Sequence, residues 1–136
     1  METSAIWVVM PGHIGTSIVS NSRKVQSGTA SDRLNDNEIA VIRKRLAASG
    51  ADTSEISDED VQAGAAERAR NFRDEAPTTA AAAAKIILDG VKAERWRILI
   101  GDDAYRLDER VRQTPEQAYD AEFYQSFVAE VGWKLG

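Results

Sequence analysis

The sequence predicts an α/β fold with two parallel strands, at about residues 5–10 and 96–100, and about five helices. Ala5-Ile6-Trp7-Val8-Val9-Met10 and Trp96-Arg97-Ile98-Leu99-Ile100 are short apolar runs, rich in β-branched and aromatic residues. They lack the polar alternation of a half-exposed strand and read as buried on both faces. Each run stops at a glycine turn, Pro11-Gly12 after the first and Gly101 after the second. The long segment between them carries helical patterns, and parallel neighbours need such a connection because a tight hairpin cannot join them.

Along the chain, residues 17–34 are rich in Ser, Asn, Gly, Arg and Lys and read as a polar, mobile segment. Asn35 or Asp36 then caps a helix whose apolar residues Ile39, Ile42 and Leu46 fall at i, i+3 and i+7, and Gly50 ends it. Ser57-Asp58-Glu59-Asp60 opens the next helix. The serine accepts from free first-turn amides, and the acids favour the positive end of the helix dipole. That helix runs towards Phe72 and stops before Pro77. Thr78 caps a third helix with Ala80, Ala84, Ile87 and Val91 as its apolar stripe. Gly90 inside it costs about 1 kcal/mol relative to Ala, so close packing or a nearby helix end is expected there. After the second strand, Asp102 caps a short helix carrying Leu107 and Val111, and Pro115 closes it. Asp120 starts a terminal helix with Phe123, Phe127, Val131 and Leu135 on one face. Two parallel strands are too few for a stable sheet, and residues 6–10 and 98–100 are too apolar for edges facing water. Further strand neighbours are therefore expected.

Composition narrows the function classes. The chain has 136 residues, 43% apolar and 29% charged, which suits one folded domain rather than a disordered chain. Its net charge is −5, from 17 basic and 22 acidic residues, so the basic surplus of a nucleic-acid binder is absent. Arg43-Lys44-Arg45 is a short basic cluster that reads as a solvated helix face. There is no cysteine, which excludes disulfides, thiolate nucleophiles and zinc–thiolate sites. The apolar run near the amino end is too short for a signal core or a membrane span, so a cytoplasmic protein with no membrane partner is expected.

Few residues point to chemistry by themselves. His13 is the single histidine and reads as a hydrogen-bonded turn residue. Asp102-Asp103 suits helix capping better than a carboxylate metal pair. Asp58-Glu59-Asp60 lacks the glycine offset and closing glutamate of a calcium loop. The Gly-x-Ser-x-Gly elbow and the phosphate-binding loop are absent. No metal site is expected. Trp7, Trp96 and Trp133 read as core or interface anchors.

The order Pro11-Gly12-x-Ile14-x-Thr16 behind an apolar strand resembles the motif after the sixth strand of short-chain dehydrogenases/reductases. The likeness extends over nearly the whole chain, as the last third of that family. Residues 6–10 are similar to its sixth strand and 17–76 to its variable substrate-covering segment. Residues 78–94 are similar to the helix before its last strand, and 96–101 to that strand. Trp96-Arg97-Ile98-Leu99-Ile100-Gly101-Asp102-Asp103-Ala104 is especially similar to one bacterial branch.

The resemblance implies that residues 1–136 form a single partial domain, the carboxyl-terminal part of a Rossmann-like doubly wound fold. It implies an oxidoreductase using NAD or NADP to interconvert an alcohol and a carbonyl on a small molecule. Pro11 and Gly12 would let the backbone pass close to the nicotinamide. The Ile14 backbone and the Thr16 hydroxyl would bond its carboxamide. This sequence departs from the family in two places. The glycine-rich pyrophosphate turn is missing, and so is Tyr-x-x-x-Lys: Glu109, Phe123 and Val128 stand four residues after Tyr105, Tyr119 and Tyr124. No catalytic residue is assigned, and this chain alone is expected to be inactive and to bind cofactor weakly or not at all. A truncated gene, a misplaced start or a split protein each fits this pattern. The alternative is a non-catalytic dimerisation or interaction module derived from the same fold, forming a homodimer through residues 79–101.

Overall fold

The structure, a computed structural model, describes residues 5–133. It is mixed α/β, and its contacts fall into two compact units: residues 5–16 with 73–133, and residues 17–72. Among the described residues there are six α-helices, one short 3-10 turn and four short strands in two two-stranded sheets.

The first unit holds both sheets. Strands β1 (Val8–Pro11) and β4 (Arg97–Ile100) pair in parallel, with Val9 opposite Ile98 and Met10 opposite Leu99. The Val8 amide donates to the Trp96 carbonyl at 2.7 Å and the Gly12 amide to that of Ile100 at 2.9 Å. Strands β2 (Ile14–Gly15) and β3 (Thr78–Thr79) form the second parallel pair. The expected strands at 5–10 and 96–100 thus shift to 8–11 and 97–100, and two short strands join them. The expectation that the first run is fully buried fails. Every residue of β1 is exposed, whereas Ile98, Leu99 and Ile100 are buried. The reason is cover: β4 has helices α4 (Ala80–Lys92) and α5 (Asp102–Gln113) packed against it, and β1 has β4 as its main neighbour.

Ala83, Ile98 and Ile100 form the core of this unit, with Ile14, Ile86, Ile87 and Val91 packed around it. Ala83 and Gly90 are the buried residues of α4; of the expected stripe, Ile87 and Val91 pack against the core, while Ala80 and Ala84 face water. A Cβ on Gly90 would lie 2.6 Å from Ile98 Cδ1, which is the close packing expected at that glycine. Thr79, not Thr78, caps α4 and accepts from the Ala82 amide at 3.1 Å. Thr78 is held one residue earlier in β3, where it is buried. Gly101, not Asp102, is the N-cap of α5, with φ at 91°. Helix α6 (Ala121–Val131) follows a 3-10 turn at Pro115–Gln117 and buries Phe123 and Phe127. Its expected partner residue Leu135 lies outside the described residues.

The second unit is helical. Residues 17–34, expected to be mobile, contain helix α1 (Ile18–Ser27), closed by Gly28 in the left-handed conformation. That helix supplies the difference from the five expected. Its cohesion comes from a distant partner: Arg23 reaches the Glu38 carboxylate at 3.2 Å and the carbonyls of Ser31 and Arg33. Helix α2 (Asp36–Ala48) starts with a capping box in which Asn35 accepts from the Glu38 amide at 2.9 Å and Glu38 accepts from the Asn35 amide at 2.8 Å. Helix α3 (Asp58–Asp74) opens at Ser57, whose hydroxyl accepts from the Asp60 amide at 3.1 Å. Arg43 pairs with Asp58 at 2.7 Å, while Lys44 and Arg45 face water. Ile39 and Val61 are buried here. No helix among the described residues is long and apolar enough to cross a membrane.

Candidate functional site

In parallel sheets, ligands meet the protein just beyond the carboxyl ends of the strands. At that end of β1 and β4 the chain makes two turns side by side, Pro11-Gly12-His13 after β1 and Gly101-Asp102-Asp103 after β4. Between them lies a buried polar cluster of His13, Thr78 and Asp103, the last only 5% exposed.

Asp103 holds this cluster together. Its Oδ2 accepts from the His13 amide at 2.6 Å and from the Trp133 indole at 2.7 Å, and its Oδ1 accepts from the Ala104 amide at 3.0 Å. A buried carboxylate is costly unless its lone pairs are satisfied, and here two donors come from distant segments and a third from its own helix. Its place in the first turn of α5 adds the positive end of the helix dipole. Both neighbouring glycines are explained by this one side chain. A Cβ on Gly12 would fall on the Asp103 carboxylate. One on Gly101 would strike the same carboxylate and lie 2.8 Å from Thr78 Oγ1.

Pro11, Gly12, Ile14 and Thr16, the residues singled out by the resemblance, lie along one short stretch of chain. Pro11 ends β1, Ile14 lies in β2 against the core, and Gly12, Ile14 and Thr16 are half-buried, so the turn keeps one open side. The hollow left by Gly12 is filled from within by the Asp103 carboxylate. Gly15 is equally constrained, since a Cβ there would strike the Arg73 carbonyl.

His13 is 4% exposed and its amide is bonded to Asp103, as expected of a turn residue. Asp102 is exposed, and no three acids or histidines gather around a metal position among the described residues. Trp133 packs edge-on against Phe127, with ring centres 5.2 Å apart at 86°. Trp7 and Trp96 are 37% and 68% exposed and are not core residues. A shallow cavity of about 200 Å³ opens beside Asp103, lined by Pro77, Asp102, Arg106, Glu130 and Val131. A polar cleft of about 540 Å³ lies between the last turn of α5 and the start of α6. Its Arg110 is already engaged with the Phe123 ring, Ser126 and Glu130.

Sequence reasoning missed the buried carboxylate and its indole partner, because Asp103 read as half of a helix cap and Trp133 as simple packing. The available signal was the doubled aspartate after Gly101, where one acid suffices for a cap. No family model, no curated protein and no solved structure matches this chain.

Proposed function

We propose that this chain is the carboxyl-terminal portion of an NAD(P)-dependent short-chain dehydrogenase/reductase, a cytoplasmic enzyme of Rossmann-like fold that interconverts an alcohol and a carbonyl. The supporting observation is the parallel pairing of β1 with β4, which sets the 11–16 turn at the carboxyl ends of adjacent strands, where cofactor edges lie in such folds. In this reading the nicotinamide supplies the hydride chemistry. The chain's own part is orientation: the Ile14 backbone and the Thr16 hydroxyl hold the carboxamide. Tyr-x-x-x-Lys and the glycine-rich turn would come from sequence preceding these residues. Reading the transcript upstream of the Met1 codon tests this. An open frame encoding both motifs supports it, and a stop codon immediately upstream counts against it.

A second reading, a non-catalytic module that dimerises through residues 79–101, is favoured by Leu88 and Trp96, which are 58% and 68% exposed in that segment. Light scattering on the purified chain separates the two. A defined dimer supports the module, and a polydisperse chain supports the stranded portion of a larger sheet.

A further inference from the structure

We propose that Asp103 is a positioning residue that fixes the 11–16 turn and joins it to the end of α6 through Trp133. The functional meaning of that turn rests on the reading above, but the clamp stands on its own geometry. One carboxylate oxygen takes the His13 amide at 2.6 Å and the Trp133 indole at 2.7 Å. It therefore links residues ninety apart in one direction and thirty apart in the other. The chain makes room for it by omitting a side chain at Gly12 and at Gly101.

A helix cap would need none of this. Capping an exposed helix start requires one acceptor for first-turn amides and is satisfied by a solvent-facing acid. Here the carboxylate is turned inward, 5% exposed, with an amide of a preceding strand turn and an aromatic N–H as ligands. Charge-assisted bonds are shorter and stronger than neutral ones. The one from the His13 amide fixes the peptide plane entering His13, and through it the backbone orientation at Ile14 and the approach of Thr16. A residue that acts on the turn in this way never needs to touch a ligand to determine how one is held.

The clamp predicts correlated behaviour of atoms far apart in sequence. In ¹⁵N-resolved NMR spectra of the full chain, the His13 amide and Trp133 indole protons should both lie downfield, as donors to a buried carboxylate. Asp103→Asn, which keeps size but removes charge, should move both upfield together and shift the Gly12, Ile14 and Thr16 amides with them. Gly12→Ala should displace the carboxylate and so shift the Trp133 indole that bonds it. Trp133→Phe, which keeps the aromatic packing, should shift the His13 amide while the spectrum stays folded. The proposal is overturned if Asp103→Asn changes only Ala104 and its helical neighbours and leaves the turn amides in place. It is overturned equally if Gly12→Ala leaves the Trp133 indole unmoved in a folded spectrum. Should Asp103→Asn fail to fold, the Gly12→Ala and Trp133→Phe spectra decide the matter. No nucleotide is added, so a failure of the nicotinamide reading leaves these outcomes untouched.

Discussion

Asp103 and Asp108 sit in the same helix and use arginine, indole and amide donors for different ends. Asp108 accepts from Arg97 on β4 and from Arg112 at 3.0 Å, tying α5 to the strand it covers. The Arg97 guanidinium first, and Arg112 after it, hold the Asp108 carboxyl below its ordinary value, against the opposing effect of partial burial. A carboxylate whose pKa is lowered by folding contributes stability that is complete above the unfolded value, about 3.9. That contribution is lost as pH falls through the folded value. Asp108→Asn should therefore lower the urea midpoint at neutral pH and flatten its fall below about pH 4. Parallel wild-type and mutant curves through that range would contradict this role. Sequence made neither aspartate's partner visible. A carboxylate's function here depends on which donors the fold brings to it, and Arg97, His13 and Trp133 come from other segments.

At the scale of elements, local chemistry was readable wherever it was self-contained. Asn35, one of the two caps expected, and the Ser57–Asp60 start each act within four residues, and the structure holds both; it adds Glu38 to the first as a capping box. Helix α1 was not readable, because Arg23 ties it to Ser31, Arg33 and Glu38, all beyond the helix itself. The α4 stripe was legible at Ile87 and Val91 but not at its amino end, because burial on this helix is decided by where Ile98 lies, and Ile98 meets Gly90 rather than a larger residue. Gly90→Ala sets two effects against each other. Alanine gains about 1 kcal/mol of helix propensity. The new Cβ, 2.6 Å from Ile98 Cδ1, forces overpacking that typically costs about 1–3 kcal/mol. Net destabilisation is expected by thermal unfolding, and adding Ile98→Val should restore part of it. A stabilised Gly90→Ala single mutant would contradict the packing.

For the whole molecule, the parallel strand pair was legible from two apolar runs, and the exposure of one of them was not. Ile6, Trp7, Val8, Val9 and Met10 have the composition of a central strand, yet they are 37–79% exposed. Composition records the surroundings a strand is suited to, and the described residues supply β1 with cover mainly from β4. The proposed function turns on whether the 11–16 turn at the end of that strand is a nicotinamide edge. Titrating the ¹⁵N-labelled chain with nicotinamide mononucleotide tests this without the missing pyrophosphate site. Binding by this chain alone is expected to be no tighter than millimolar, worth about 4 kcal/mol at most. The shifts should centre on the amides of Gly12, Ile14 and Thr16. Shifts that saturate at the polar cleft of α5 and α6 and leave these three amides in place would contradict it.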